Sequence, residues 1–289
     1  MKKICSLKVV LFPMLVIIGH VLYAQESPVA AGKEQSPAKE VDPVMAMVYA
    51  TMKPGWKPTA EDGWISLFNG KDLDQWKIPE GDNGHWKVVD KAIDYDARSE
   101  SLAQDKNLWT KESFSDFILR ISWRMKPGLV PEFSVPVVLP SGDYEKDENG
   151  NDKKVTIQDS CVSGVYLRGA KKGEVNMWNW PVGSGELWTY RFTKTYPPEV
   201  RAAATPKLRA DKPTGNWNTF TILAKGNNVT VFLNGKRVID NAFLPDLPES
   251  GPLALQHHGG FDETANAYKP SSSCFQYRDI WIKKLDEKK

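Results

Sequence analysis

The 289-residue chain is 41% hydrophobic and 26% charged, with a formal charge of +2. That is enough apolar material for a full core, in one large domain or two small ones, and too balanced a charge for a nucleic-acid binder. Its 11 tryptophans are the outlier; in a strand-rich chain they point to carbohydrate, because a flat apolar ring matches the C–H face of a sugar.

The chain opens with MKKICSLKVVLFPMLVIIGHVLYAQ: lysines first, an apolar run from Val9 to Leu22, then Ala24 before Gln25. Residues 1–24 read as a secretion signal. The run is short for a membrane span and contains Pro13, Gly19 and His20, so no integral membrane segment is expected in the mature chain. Cys5 leaves with the signal. Cys161 and Cys274 remain, as one disulfide or as two buried thiols. Residues 25–60 form a linker: QESPVAAGKEQSPAKEVD has the composition of a disordered tether, and PVMAMVYATM reads as a short helix. From residue 61 to 289 the pattern is strands and turns.

In GHWKVVDKAIDYDAR, His85, Asp94 and Asp96 read as structural or rim residues of early strands. WTKESFSDFILRISWRMKPG gives two core strands, with Phe117 and Trp123 in packing roles. Residues 127–159 include GDYEKDENGNDKK, which places Asp152 where a calcium loop needs Gly, so a solvated hairpin is expected. NTFTILAKGNNVTVFLNGKRVID contains alternating apolar residues around two turns, and Asn234-Gly235 suits a tight turn with positive φ. Such strands at close spacing argue for a β-sandwich or barrel.

Alternation assigns faces. In SGVYLRGAKKGEVNMWNW, Val165, Leu167, Val175 and Met177 point to the core. With AKKG as the turn, Tyr166, Arg168, Glu174, Asn176 and Trp178 share the opposite face, and Arg168 lies near Glu174. An aromatic platform, a fork donor and a carboxylate together suit a sugar site. PVGSGELWTYR follows as a loop over that face, from which Glu186, Tyr190 and Arg191 are candidates to reach in. In GPLALQHHGG, Leu253 and Leu255 point inward, so Gln256 and His258 join the outer face while His257 does not.

DGWISLFNGKDLDQW, SGVYLRG with GEV, GNWNTFTILAKGNNVTVFLNGKRV, GPLALQHHG and FQYRDIWIKKL together resemble the 3-keto-disaccharide hydrolase family, from about Asp62 to Leu285. Val162 stands where the family usually has Asn, and His257 where it has an acidic residue; His258 is the family-like histidine. The resemblance implies an all-β, concanavalin A-like jelly-roll of two antiparallel sheets with a concave sugar-binding face. It also implies a periplasmic enzyme acting on glycosides already oxidised at C3.

A C3 ketone acidifies the C2 hydrogen, so a base can remove it and the C1 substituent can leave. The expected catalytic residues are His258 or Glu174 as base and Arg168 on the enolate oxygen. Tyr166, Asn176, Gln256, Glu186 and Tyr190 are expected to bind substrate beside the Trp178 wall. Glu174 and His258 are also the candidate ligands of a divalent metal ion, although no compact ligand motif is present. Two further readings stay open. A direct glycoside hydrolase needs a second carboxylate, which only Glu186 offers here. A non-catalytic carbohydrate-binding module needs no convergence of Arg168, Glu174 and His258.

Overall fold

The computed structural model describes residues 42–285; the signal over 1–24 and the tether up to residue 41 lie outside the described residues. Two antiparallel sheets pack face to face as a jelly-roll sandwich. The larger runs β13 (Lys236–Phe243), β12 (Asn228–Leu233), β11 (Asn218–Lys225), β6 (Phe117–Met125), β17 (Phe275–Lys284), β4 (Ala92–Tyr95), β3 (Trp86–Val89), with β1 (Ile65–Ser66) also on β17. The smaller runs β10 (Ala170–Trp178), β9 (Val162–Leu167), β14 (Gly251–Leu255), β5 (Leu108–Phe114), β2 (Trp76–Lys77). Two short hairpins complete it: β7 (Phe133–Pro136) with β8 (Lys154–Ile157), inside the expected solvated excursion, and β15 (Phe261–Asp262) with β16 (Ala267–Tyr268).

The core follows the alternation in the sequence. Phe220, Ile222 and Ala224 stand opposite Leu233, Val231 and Val229, all buried on the inner face of the larger sheet. Val165, Leu167, Val175, Met177, Leu253 and Leu255 meet them from the smaller sheet. Trp123 is fully buried between Phe220 and Phe275, at ring distances of 5.4 and 5.9 Å. Asn234 and Gly235 take φ of +52° and +80°, the conformation a two-residue hairpin requires. Cys161 and Cys274 are buried free thiols. His85 bonds Asp96 at 2.9 Å, and Asp94 is held by Lys126 and Gln276, which fits structural roles.

The expected helix is α1 (Pro43–Ala50), with Pro43 at its start and the Asp42 carboxylate accepting from the Val44 N–H at 2.9 Å. It covers the outer face of the larger sheet, where Val48, Ile118, Leu223 and Phe232 form a second small core. Two short helices, α2 (Trp188–Phe192) and α3 (Pro198–Ala203), pack at the β10 side of the smaller sheet and against β13. Among the described residues no helix is long and apolar enough to cross a membrane.

The turn between β9 and β10 corrects the expected pattern. It falls at Arg168-Gly169, with φ of +51° and +72°, rather than at AKKG. A side chain at a left-handed turn leaves the alternation of the strand. Arg168 therefore turns away from the face shared by Glu174, Asn176 and Trp178 and is 1% exposed. Its guanidinium donates to the carbonyls of Ser115, Gly226 and Pro248 and pairs with Asp116 at 2.8 Å, tying separate loops together. Replacing it strands those acceptors, so Arg168→Met is expected to cost about 3 kcal/mol. Urea unfolding would show the lowered midpoint, while affinity for sugar stays at the wild-type value.

Candidate functional site

The outer face of the smaller sheet is built by the register of β9, β10 and β14. Glu174 stands opposite Tyr166, Asn176 opposite Gly164, and Trp178 opposite Val162. Ala254 pairs with Tyr166, and the Gln256 N–H donates to the Gly164 carbonyl, so Gln256 arrives beside them. Gly164 is needed here: a Cβ at that position would lie 2.9 Å from Glu174 Cγ and Oε1. The missing side chain is the space that Glu174 fills.

A cavity of about 180 Å³ opens on this face. Glu174, Asn176, Gln256 and His258 supply its polar groups, and Trp178, Trp180 and Trp188 its walls. Trp178 and Trp180 stack at 4.1 Å with an interplanar angle of 7°. Asn176 Oδ1, Gln256 Oε1 and Trp180 Nε1 are buried without hydrogen-bond partners. Orphaned polar atoms are rare in a folded chain, and all three belong to residues that line this one cavity.

The sequence had placed most of these residues. Tyr166 underlies the site, its hydroxyl accepting from Gln256 Nε2 at 2.7 Å and its ring stacked on Trp109 at 6.0 Å. His258 Nδ1 lies 2.7 Å from the Ser271 carbonyl. Since a carbonyl only accepts, Nδ1 carries a proton, and in the neutral tautomer this leaves Nε2 as the acceptor. His257 has a different environment: its ring meets the edge of Tyr95 at 5.4 Å, and burial, with Lys106 and His258 adding, pushes its pKa down to about 4.

Four of the expected or candidate site residues, Arg168, Tyr190, Glu186 and Arg191, are elsewhere. Arg168 is in the loop knot described above and does not reach the cavity. Tyr190 is fully buried, donating to the Pro245 carbonyl at 2.9 Å. Glu186 is also fully buried and faces Arg191, at 2.6 Å from its Nε, so it is no free carboxylate. Burial raises the Glu186 carboxyl and the Arg191 guanidinium opposes the rise. The residues that pattern reading missed are Val162, Trp180, Trp188 and Ser271. Only the tryptophan richness of WNWPVGSGELW hinted at the two rings.

Glu174 is the unusual group. It is 5% exposed and, among the described residues, has no cationic partner. Burial and the charge of Glu186 push its pKa to about 8, against a hydrogen bond from Gln256. Glu174 therefore holds a proton at neutral pH. The donor set does not fit a resident divalent metal: Glu174 and His258 are joined by no third ligand, and among the described residues no group of three His, Cys, Asp or Glu side chains could hold one.

A jelly-roll sheet whose outer face carries a tryptophan-walled, polar-based cavity is the build of a carbohydrate-active protein. The match to a family is direct. Residues 63–283 fit the model of the 3-keto-alpha-glucoside-1,2-lyase-like domain, and the chain belongs to that family. Among solved structures, one candidate glycosyl hydrolase from Parabacteroides distasonis ATCC 8503 is 20% identical, with a TM-score of 0.47, over 78% of this chain and 96% of that one. A second from the same organism is 17% identical, with a TM-score of 0.42, over 77% and 99%. The carbohydrate-binding module CBM66 from Bacillus subtilis is 13% identical, with a TM-score of 0.35, over 76% and 88%. No curated protein matches the chain.

The state of Glu174 has a consequence for stability. A carboxyl raised from 4.5 to about 8 keeps its proton in the folded chain where the unfolded chain has lost it. Its contribution is therefore favourable at low pH and declines as pH rises from 4.5 toward 8. Relative to Glu174→Gln, the wild type should lose stability worth about 2–4 kcal/mol across this range, read from urea midpoints. Glu174→Gln should flatten that fall and be the more stable protein at pH 8.

Proposed function

We propose that the protein is an exported enzyme, working in the periplasm, that cleaves glycosides carrying a ketone at C3. The observation that carries this reading is the pairing, in one cavity, of a protonated carboxyl (Glu174) with a histidine whose Nε2 is free to accept a proton (His258). An elimination needs a base for the C2 hydrogen and an acid for the oxygen that leaves C1.

His258 Nε2 takes the proton from C2, and the electron pair of the C–H bond forms an enolate with the C3 carbonyl. Collapse of the enolate forms the C1–C2 double bond and breaks the bond from C1 to the leaving oxygen. Glu174 gives that oxygen its proton. The product is an unsaturated keto sugar; water adding across its double bond completes a net hydrolysis. The Ser271 carbonyl holds the His258 tautomer and stabilises the imidazolium that forms. With Arg168 absent from the cavity, the developing oxyanion is met by neutral donors, for which the orphaned Trp180 Nε1 is the candidate. Trp178, Trp180 and Trp188 enclose the sugar, and Asn176 and Gln256 orient its hydroxyls.

Direct hydrolysis by two carboxylates is disfavoured, since Glu186 is tied to Arg191 and only Glu174 faces the cavity.

The test is release of aglycone from a 3-keto-glucoside and from its unoxidised parent. Release is expected from the keto form alone. His258→Ala should lower kcat by about 10²–10⁴-fold with folding intact. In the wild type, kcat/KM should fall as pH rises through about 8, where Glu174 loses its proton. Release from the parent would instead indicate a glycosidase, and binding without release a lectin-like module.

A further inference from the structure

The face of the larger sheet that points away from the core has its own construction. Alternation along β6 puts Arg120, Ser122 and Arg124 on it. Arg120 stands between Thr221 of β11 and Trp281 of β17, each directly opposite it on its neighbouring strand. In the next row Ser122 stands between Thr219 and Arg278. Arg124 and Arg278 lie 4.7 and 4.0 Å from the ring centre of Trp217, and Arg120 lies 5.3 Å from that of Trp56.

The charges here are not balanced. Among the described residues Arg120, although half-buried, has no carboxylate partner within ion-pair distance, and the opposing charge acting on it is that of Asp279. Asp279 is itself taken up by Arg278 at 3.3 Å. Arg124 donates to the neutral Gln276 side chain. A half-buried guanidinium without a counter-ion is unfavourable, and five N–H donors in a planar fork suit a carboxylate or sulfate.

Arg120 also divides two cavities. One, of about 260 Å³, is lined by Lys53, Lys212, Arg120 and the threonines 51, 219 and 221. The other, of about 360 Å³, is lined by Trp56, Trp281, Lys57 and Asp279. Each is several times the ~30 Å³ that one water occupies in the liquid. Cations without carboxylate partners among the described residues on one side, with Lys212 Nζ on the Trp217 carbonyl at 2.9 Å, and tryptophan faces on the other are contacts a charged sugar polymer can fill.

We propose that this outer face is a second carbohydrate site, distinct from the cavity of Glu174 and His258, which binds an acidic oligosaccharide through its carboxylates or sulfates. The chain crosses Arg120, an acidic group on the Arg120, Lys53 and Lys212 side and a sugar ring against Trp56 or Trp281. A nucleic acid would meet the same cations, but the balanced charge of the whole chain argues against it.

Calorimetric titration decides this with a galacturonate tetrasaccharide, a sulfated tetrasaccharide, a neutral tetrasaccharide and single-stranded DNA as probes. At least one acidic sugar should bind the wild type, weaken with added salt, and outcompete the neutral sugar. Arg120→Gln should weaken it at least tenfold. Should Arg120→Gln fail to fold, Lys53→Gln/Lys212→Gln, which changes exposed side chains only, takes its place with a loss of about threefold or more expected from the two charges. No acidic sugar bound by the wild type, neutral and acidic sugars bound alike, DNA bound as tightly as either acidic sugar, or an affinity unmoved by the folded variant would each overturn the proposal.

Discussion

The site depends on keeping one carboxyl group away from both water and cations. Glu174 sits on β10, the edge strand of the smaller sheet, where alternation and the register with Tyr166 fix its direction. Gly164 leaves the room it occupies, and Gln256 bridges it to Tyr166. Behind it, Glu186 adds a second carboxyl that is locked to Arg191 and hence, through the Arg191 carbonyl, to Arg201 and Asp143. Desolvation favours the neutral form of an acid, and a nearby negative charge adds to the effect. The raised pKa of Glu174 follows from that arrangement, and the proton-donor role proposed for it rests on that state.

The placement of arginines complements this. Arg168 binds three carbonyls and Asp116, Arg191 binds Glu186, and Arg120 and Arg124 lie on the far face of the other sheet. None is delivered to the Glu174 cavity. A guanidinium there would pull the Glu174 pKa down and remove the acid. On the opposite side of the sandwich Arg120 and Arg124 have no carboxylate partner among the described residues, and tryptophans accompany them.

What the sequence revealed and what it hid have physical causes. Glu174, Asn176 and Trp178 were readable because Val175 and Met177 between them are core residues, and a period of two then fixes the other face. Gln256 and His258 followed in the same way from Leu253 and Leu255. Arg168 was misplaced because its turn lies two residues earlier than AKKG suggested, and because its acceptors come from residues 115, 226 and 248, distant in the chain. Trp180, Trp188 and Ser271 come from loops and a loop-adjacent helix, for which no periodicity assigns a face. The tie between Glu186 and Arg191 spans one short helix start and was open to a spacing argument, but nothing in the spacing told that both would be buried.

The measurement closest to the central claim is the protonation of Glu174 in the folded protein. Infrared difference spectra between wild type and Glu174→Gln, recorded from pH 5 to pH 9, isolate that single carboxyl. A protonated C=O band present at pH 6.5 and disappearing around pH 8 is the predicted result. A carboxylate band already complete at pH 6 would contradict the account, because Glu174 would then have no proton to give.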